Sequence, residues 1–218
     1  MGKRIGVGRV TRRTKFMAVG AAGAVLLGGI GVTSLAAWTD QEFVQGGFNG
    51  SAGVGTSTFN VLQSVAGDSS SFTDRETSPG GVIDFSSVAA ALSPGATVYG
   101  WVQLKTDDPS IDGTLALKSS TATATGLAQY LSYGATIVPD TGTCTANGFA
   151  TAAGTASNVL TAAGQPVTAD STQTFTLAAN GAETRTVCFQ IHMQDADVPD
   201  TAMGLSFTPI WYFDAISS

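Results

Sequence analysis

The chain has 218 residues, a net charge of −6 and only 12% charged side chains. Six of its ten basic residues (Lys3, Arg4, Arg9, Arg12, Arg13 and Lys15) precede residue 16, and all sixteen acidic ones lie at or after Asp40, so the remainder sets four basic against sixteen acidic side chains, a balance of −12. Nucleic acid is excluded as a partner of such a surface, because that binding depends on Lys and Arg neutralising phosphates, and the abundance of Thr, Ser, Ala and Gly points to an all-β extracellular domain.

No charged residue falls between Phe16 and Thr39, and a cationic stretch followed by an apolar one is the layout of a secretory signal. As a helix this run spans about 36 Å, enough to cross a bilayer, so a retained anchor stands as the alternative to cleavage. Composition favours cleavage. Gly and Ala dominate the run, and Ser34 and Ala36 place small residues three and one before the cut. The expected signal helix is therefore 1–36, cut by signal peptidase between Ala36 and Ala37, with membrane contact confined to it. Arg12 and Arg13 read as an ordinary basic region, because Thr14-Lys15-Phe16 does not fit a twin-arginine pattern.

Residues 37–50 form an arm that holds Trp38, Phe43, Val44 and Phe48, punctuated by Gly46, Gly47 and Gly50. A domain over 51–218 follows. Its strand candidates in chain order begin with STFNVLQSV (57–65) and GVIDF (81–85). In TVYGWVQLK, Val98, Val102 and Leu104 face one way and Thr97, Tyr99, Trp101, Gln103 and Lys105 the other. GTLALKS (113–119) comes next, then a short helix over 125–132 and YGATIV (133–138). The Ala/Thr/Gly-rich stretch 141–170 reads as an insertion without an assigned element, and TQTFTLA (172–178) follows it. RTVCFQIHM puts Val187, Phe189, Ile191 and Met193 opposite Thr186, Cys188, Gln190 and His192. MGLSFTPIWYF sets Met203, Leu205, Phe207, Trp211 and Phe213 in register. Pro209 cannot donate to a ladder, so this strand belongs at an edge or carries a bulge. Turn signals such as SPGG at Ser78, SPG at Ser93, DDPSIDG at Asp107, NG at Asn180 and DADVPD at Asp195 separate the runs. About eight short strands without helical periods between them give an antiparallel β-sandwich.

Cys144 and Cys188 are the only cysteines. An even count in an exported chain reads as one disulfide, which closes a loop of about 45 residues and stabilises by roughly 4 kcal/mol in the chain-entropy model. A metal pair is the alternative, but structural zinc takes four ligands and the chain adds only one histidine. That histidine, His192, lies on the polar face of its strand, where exposure is the ordinary expectation. No G-x-S-x-G elbow, H-E-x-x-H, phosphate-binding loop or G-x-G-x-x-G is present, so neither catalytic residues nor a cofactor is expected. Asp107, Asp108 and Asp112 form one acidic group and Asp195, Asp197 and Asp200 another. Neither has EF-hand spacing; solvated turns are the preferred reading, with calcium as the open alternative.

Three segments carry a family resemblance: AAWTDQEFVQGGFNGSAG at the signal junction, LSPGATVYGWVQLKTDDPSIDGTLALK (92–118), and the terminal GLSFTPIWYF. Together they resemble the TasA/camelysin family of exported bacterial β-sandwich proteins with a SipW-dependent type of signal peptide. The chain departs from that pattern in its cysteine pair, in the stretch 141–170 and in its final strand. The resemblance implies a jelly-roll-like sandwich and a secreted structural protein of the cell surface or biofilm matrix, assembling into fibres with itself or with related matrix subunits. By that resemblance the arm, with Trp38, Phe43, Val44 and Phe48, adds as a donor strand to a neighbour; the alternative is a first strand within its own domain. Two other functions stand beside it. One is a monomeric surface adhesin or binding module, using 141–170 or an exposed Tyr99 and Trp101 pair. The other is a secreted peptidase, the activity described for some relatives, which a single histidine does not support.

Overall fold

A computed structural model of the chain describes residues 47–48, 51–52, 57–65, 71–85, 89, 91–195 and 197–218. The signal segment 1–36, its cut between Ala36 and Ala37, and Trp38, Phe43 and Val44 lie outside the described residues. At Phe48 the backbone forms β1 (Gly47–Phe48), paired antiparallel with β2 (Ser51–Ala52).

The rest is an all-β antiparallel sandwich. One sheet has six strands in the order β4 (Thr73–Asp74), β3 (Val61–Val65), β5 (Thr97–Thr106), β10 (Arg185–Met193), β7 (Leu131–Val138) and β8 (Val159–Pro166). The other has three, in the order β11 (Trp211–Ser217), β6 (Gly113–Ser119) and β9 (Thr174–Leu177). The chain crosses between sheets at β5–β6, β6–β7, β8–β9, β9–β10 and β10–β11, the back-and-forth of a jelly-roll-like connectivity.

Period-two patterning places the core. β5 alternates without a break, with Val98, Val102 and Leu104 buried. On β10, Val187, Phe189, Ile191 and Met193 meet Leu131, Tyr133 and Ala135 of β7 on the same inner face. The smaller sheet answers with Leu115 and Leu117 of β6, Phe175 and Leu177 of β9, and Trp211 and Phe213 of β11. Trp211 joins the two sheets directly, its ring 4.9 Å from Phe189 and 5.2 Å from Tyr133. Tyr133 is fully buried, and its hydroxyl donates to the carbonyl of Ala169. Burial is the main cause that raises its pKa.

Several expectations change. The helix expected over 125–132 is a 3-10 turn, Gly126–Tyr130, and β7 starts at Leu131, where inward-facing Leu131, Tyr133 and Ala135 outweigh local helix preference. GVIDF (81–85) forms no strand. The final strand begins only at Trp211: Met203 is 75% exposed and Leu205 is also exposed, so neither shares a buried face with Phe213. Pro209 precedes it, and β11 is an edge strand as expected. The stretch 141–170 is not a simple insertion. It holds a helix, α1 (Ala146–Ala153), and it supplies β8, whose Leu160 is fully buried in the core. β8 is irregular, with register shifts against Tyr133, Ala135 and Thr136, a positive φ of 84° at Gly164, and Pro166 at its end.

Asp170, between β8 and β9, ties that connection to the end of β6. It accepts from the Ser119 N–H at 3.0 Å and from Lys118 Nζ at 3.1 Å. The backbone hydrogen bond first, and then Lys118, hold its pKa below the ordinary carboxylate value. A lowered folded-state pKa contributes stability that is present above the unfolded value and lost as pH falls through the folded one. Asp170→Asn is expected to lower the urea midpoint modestly at neutral pH, because the pair is half exposed, and to lower it less at acid pH, as the carboxyl becomes protonated through its lowered folded-state value. An equal loss at both pH values assigns the effect to something other than this carboxylate.

Candidate assembly cleft

Six strands on one side and three on the other leave part of the larger sheet's inner face without an opposing strand. Among the described residues β11 has β6 on one side and no strand on the other, while the larger sheet continues through β5 and β3 to β4. A cleft of about 820 Å³ opens there. Its floor is apolar: Val102, Leu104 and Phe189 from the larger sheet, Trp211, Phe213 and Ala215 from the smaller.

The far wall is the irregular segment 77–85. Ile83 and Phe85 lie against the inner face of β5 at Gly100, where a Cβ would come within 2.7 Å of Ile83 Cγ2 and 2.9 Å of the Phe85 ring. Gly100 is therefore what lets this segment pack on the sheet without pairing to it. The rim carries exposed apolar groups, Val82 at 78% and Tyr212 at 52%. Large apolar side chains left in water beside an apolar floor mark a contact surface.

The stretch that opens β3 also contributes to this cleft. Phe59, Asn60 and Val61 line it. Residues 58–60 are stitched to the β5–β6 connection, with the Ile111 N–H donating to the Thr58 carbonyl and the Asp107 N–H to the Asn60 carbonyl, both at 3.0 Å.

The other candidate residues are spread over different surfaces. Cys144 and Cys188 form the disulfide, with Cα atoms 5.3 Å apart, on the outer face of the larger sheet. The Tyr99 and Trp101 pair is only partly exposed, which corrects the expectation of an open aromatic face. The Phe149 ring of α1 lies 5.8 Å from Tyr99. His192 is also partly buried, its Nδ1 2.9 Å from Thr97 Oγ1. Among the described residues no group of three or more His, Cys, Asp or Glu converges to hold a metal, and this covers Asp107, Asp108, Asp112, Asp195, Asp197 and Asp200. The cleft itself was not visible in the sequence, because strands far apart in the chain build its floor and a segment without period builds its wall. SPGGV at Ser78 was the one available signal: two glycines before an apolar residue that no strand buries.

Floor and rim are expected to respond differently to substitution. Phe189→Ala should cost about 3–5 kcal/mol, the range for truncating a buried aromatic. Val82→Glu should stay within about 0.5 kcal/mol, as surface changes do. Denaturant unfolding with unchanged slope checks both.

Compared with known proteins, the chain matches no family model and no curated protein.

Proposed function

We propose that the protein is a secreted structural subunit of the cell surface or biofilm matrix, and that it self-associates by β-strand addition, with residues 37–50 of one copy entering the cleft of another. The observation that carries this reading is the coexistence in one chain of an apolar cleft beside the edge of β11, unpaired among the described residues, and an apolar arm that precedes residues 59–61 of the cleft lining in sequence. Strand addition draws affinity from main-chain hydrogen bonds and specificity from side chains in pockets. Trp38, Phe43, Val44 and Phe48 supply such side chains, each contributing about 1.5–3 kcal/mol when fully buried. A disulfide fits an oxidising, non-cytoplasmic compartment. No helix among the described residues is long and apolar enough to cross a membrane.

Deleting residues 37–50 is expected to abolish filaments in electron microscopy while far-UV dichroism still reports a β domain. A synthetic peptide of residues 37–50 should then bind the shortened protein saturably, and Val82→Glu should weaken that binding at least about tenfold. Filaments that persist without the arm, or a shortened protein that unfolds, overturn the reading; in the second case the arm is a strand of its own domain. A full-length protein that stays monomeric at every concentration supports the adhesin alternative.

A further inference from the structure

The larger sheet is apolar on both faces, and the two faces are not equivalent. The inner face belongs to the sandwich core, while the outer face carries a separate cluster of Val138, Phe149, Ala152 and Cys188, with Tyr99 and Cys144 packed around it. No residue of the three-stranded sheet belongs to this second cluster. It is covered by residues 139–158, which fold largely through their own hydrogen bonds. Asp140 Oδ1 accepts from the Thr143 N–H at 3.0 Å, Thr145 Oγ1 accepts from the Gly148 N–H at 3.2 Å, and the Phe149 N–H returns to the Thr145 carbonyl at 2.8 Å.

Two features show how this flap is held. Phe149 rests over Gly134 of β7, where a Cβ would come within 3.0 Å of its ring and 2.8 Å of the Ala163 backbone, so the absence of a side chain there is what lets the ring seat on the sheet. Thr136 opposes docking. It stands opposite Cys188 in the ladder and is fully buried, and its hydroxyl has no hydrogen-bond partner among the described residues. A hydroxyl removed from water without a partner carries a desolvation cost, and that cost disappears when water reaches it.

We propose that the Cys144–Cys188 bond is a redox latch, which holds the flap 139–158 on the outer face of β7 and β10, and that its reduction frees the flap while the sandwich stays folded. Release uncovers Tyr99, Val138 and Cys188 on the outer face of the sheet. A dithiol performs the exchange. Cys188 is fully buried and Cys144 is partly exposed, so a reagent thiolate attacks Cys144 Sγ, forms a mixed disulfide and expels Cys188 Sγ as a thiolate that takes up a proton. The reagent's second thiol then displaces Cys144 and closes its own disulfide; the protein gains two electrons and two protons, and the reagent is oxidised.

Hydrogen exchange of the full chain, oxidised and then reduced with dithiothreitol, tests the latch, with iodoacetamide capture of both thiols confirming reduction. The amides of α1 are expected to exchange at least about tenfold faster after reduction, a local opening, while those of β5 and β10 keep their protection. If α1 stays protected, packing alone holds the flap and the proposal fails. It fails equally if β5 and β10 lose protection to the same extent as α1, because the bond then supports the whole sandwich.

Discussion

Phe189 and Cys188 are neighbours in β10 whose side chains leave opposite faces of the sheet, and both are fully buried. β10 also has a strand on each edge, β5 along one and β7 along the other, in register over nearly its whole length. A strand buried on two faces and paired on two edges has no freedom left. Through Phe189 it fixes the position of Trp211, and with it the smaller sheet; through Cys188 it fixes the helical flap. Even its polar residues are absorbed, since Gln190 Nε2 donates to the Tyr99 hydroxyl at 2.9 Å and Thr186 Oγ1 accepts from Gln103 Nε2 at 3.2 Å.

The unequal sheets follow from that arrangement. A sandwich buries its inner faces strand against strand, and here three strands cannot cover six. The chain completes the cover with irregular backbone at 77–85, which packs through Ile83 and Phe85 because Gly100 gives them room. Coil of this kind closes the core less completely than a strand. The cleft is the result, and its position beside β11 makes the least covered part of the core coincide with an unpaired strand edge. The proposed strand addition draws on that coincidence.

Sequence patterning reached the parts of this fold that obey a single period. β5 and β6 are readable because each alternates between a more and a less buried face, β10 because its apolar side chains recur at every second position although both of its faces are largely buried, and the cysteine pair from its even count. The limits had physical causes. β8 is rich in Ala and Gly and interrupted by register shifts, so it offers no alternation to detect, although Leu160 anchors it in the core. Residues 203–210 imitate the period of a strand, yet Met203 and Leu205 stand in solvent. On the outer face, the alternation of β5 points Tyr99 away from the sandwich core, and no sequence period announces that Phe149 folds back over it. The arm was legible as an apolar segment, but its acceptor exists only once β3, β5, β10 and β11 have come together.

The broken edge of β8 bears on the geometry of growth. Kinked backbone at Gly164 and a terminal proline with no N–H to give make that margin a poor template for another chain, as protected edges are in natural sheets. β4 at the opposite margin has two residues and β9 has four, which leaves β11, with seven, as the longest regular unpaired margin among the described residues. A subunit with a single acceptor and a single donor makes head-to-tail contacts, which run on as an open filament when the rotation from copy to copy does not close a ring. Under the proposed assembly, head-to-tail contact gives the polymer two unlike ends, and lateral growth along the β8 margin is disfavoured by the same kink that hides β8 from sequence patterning.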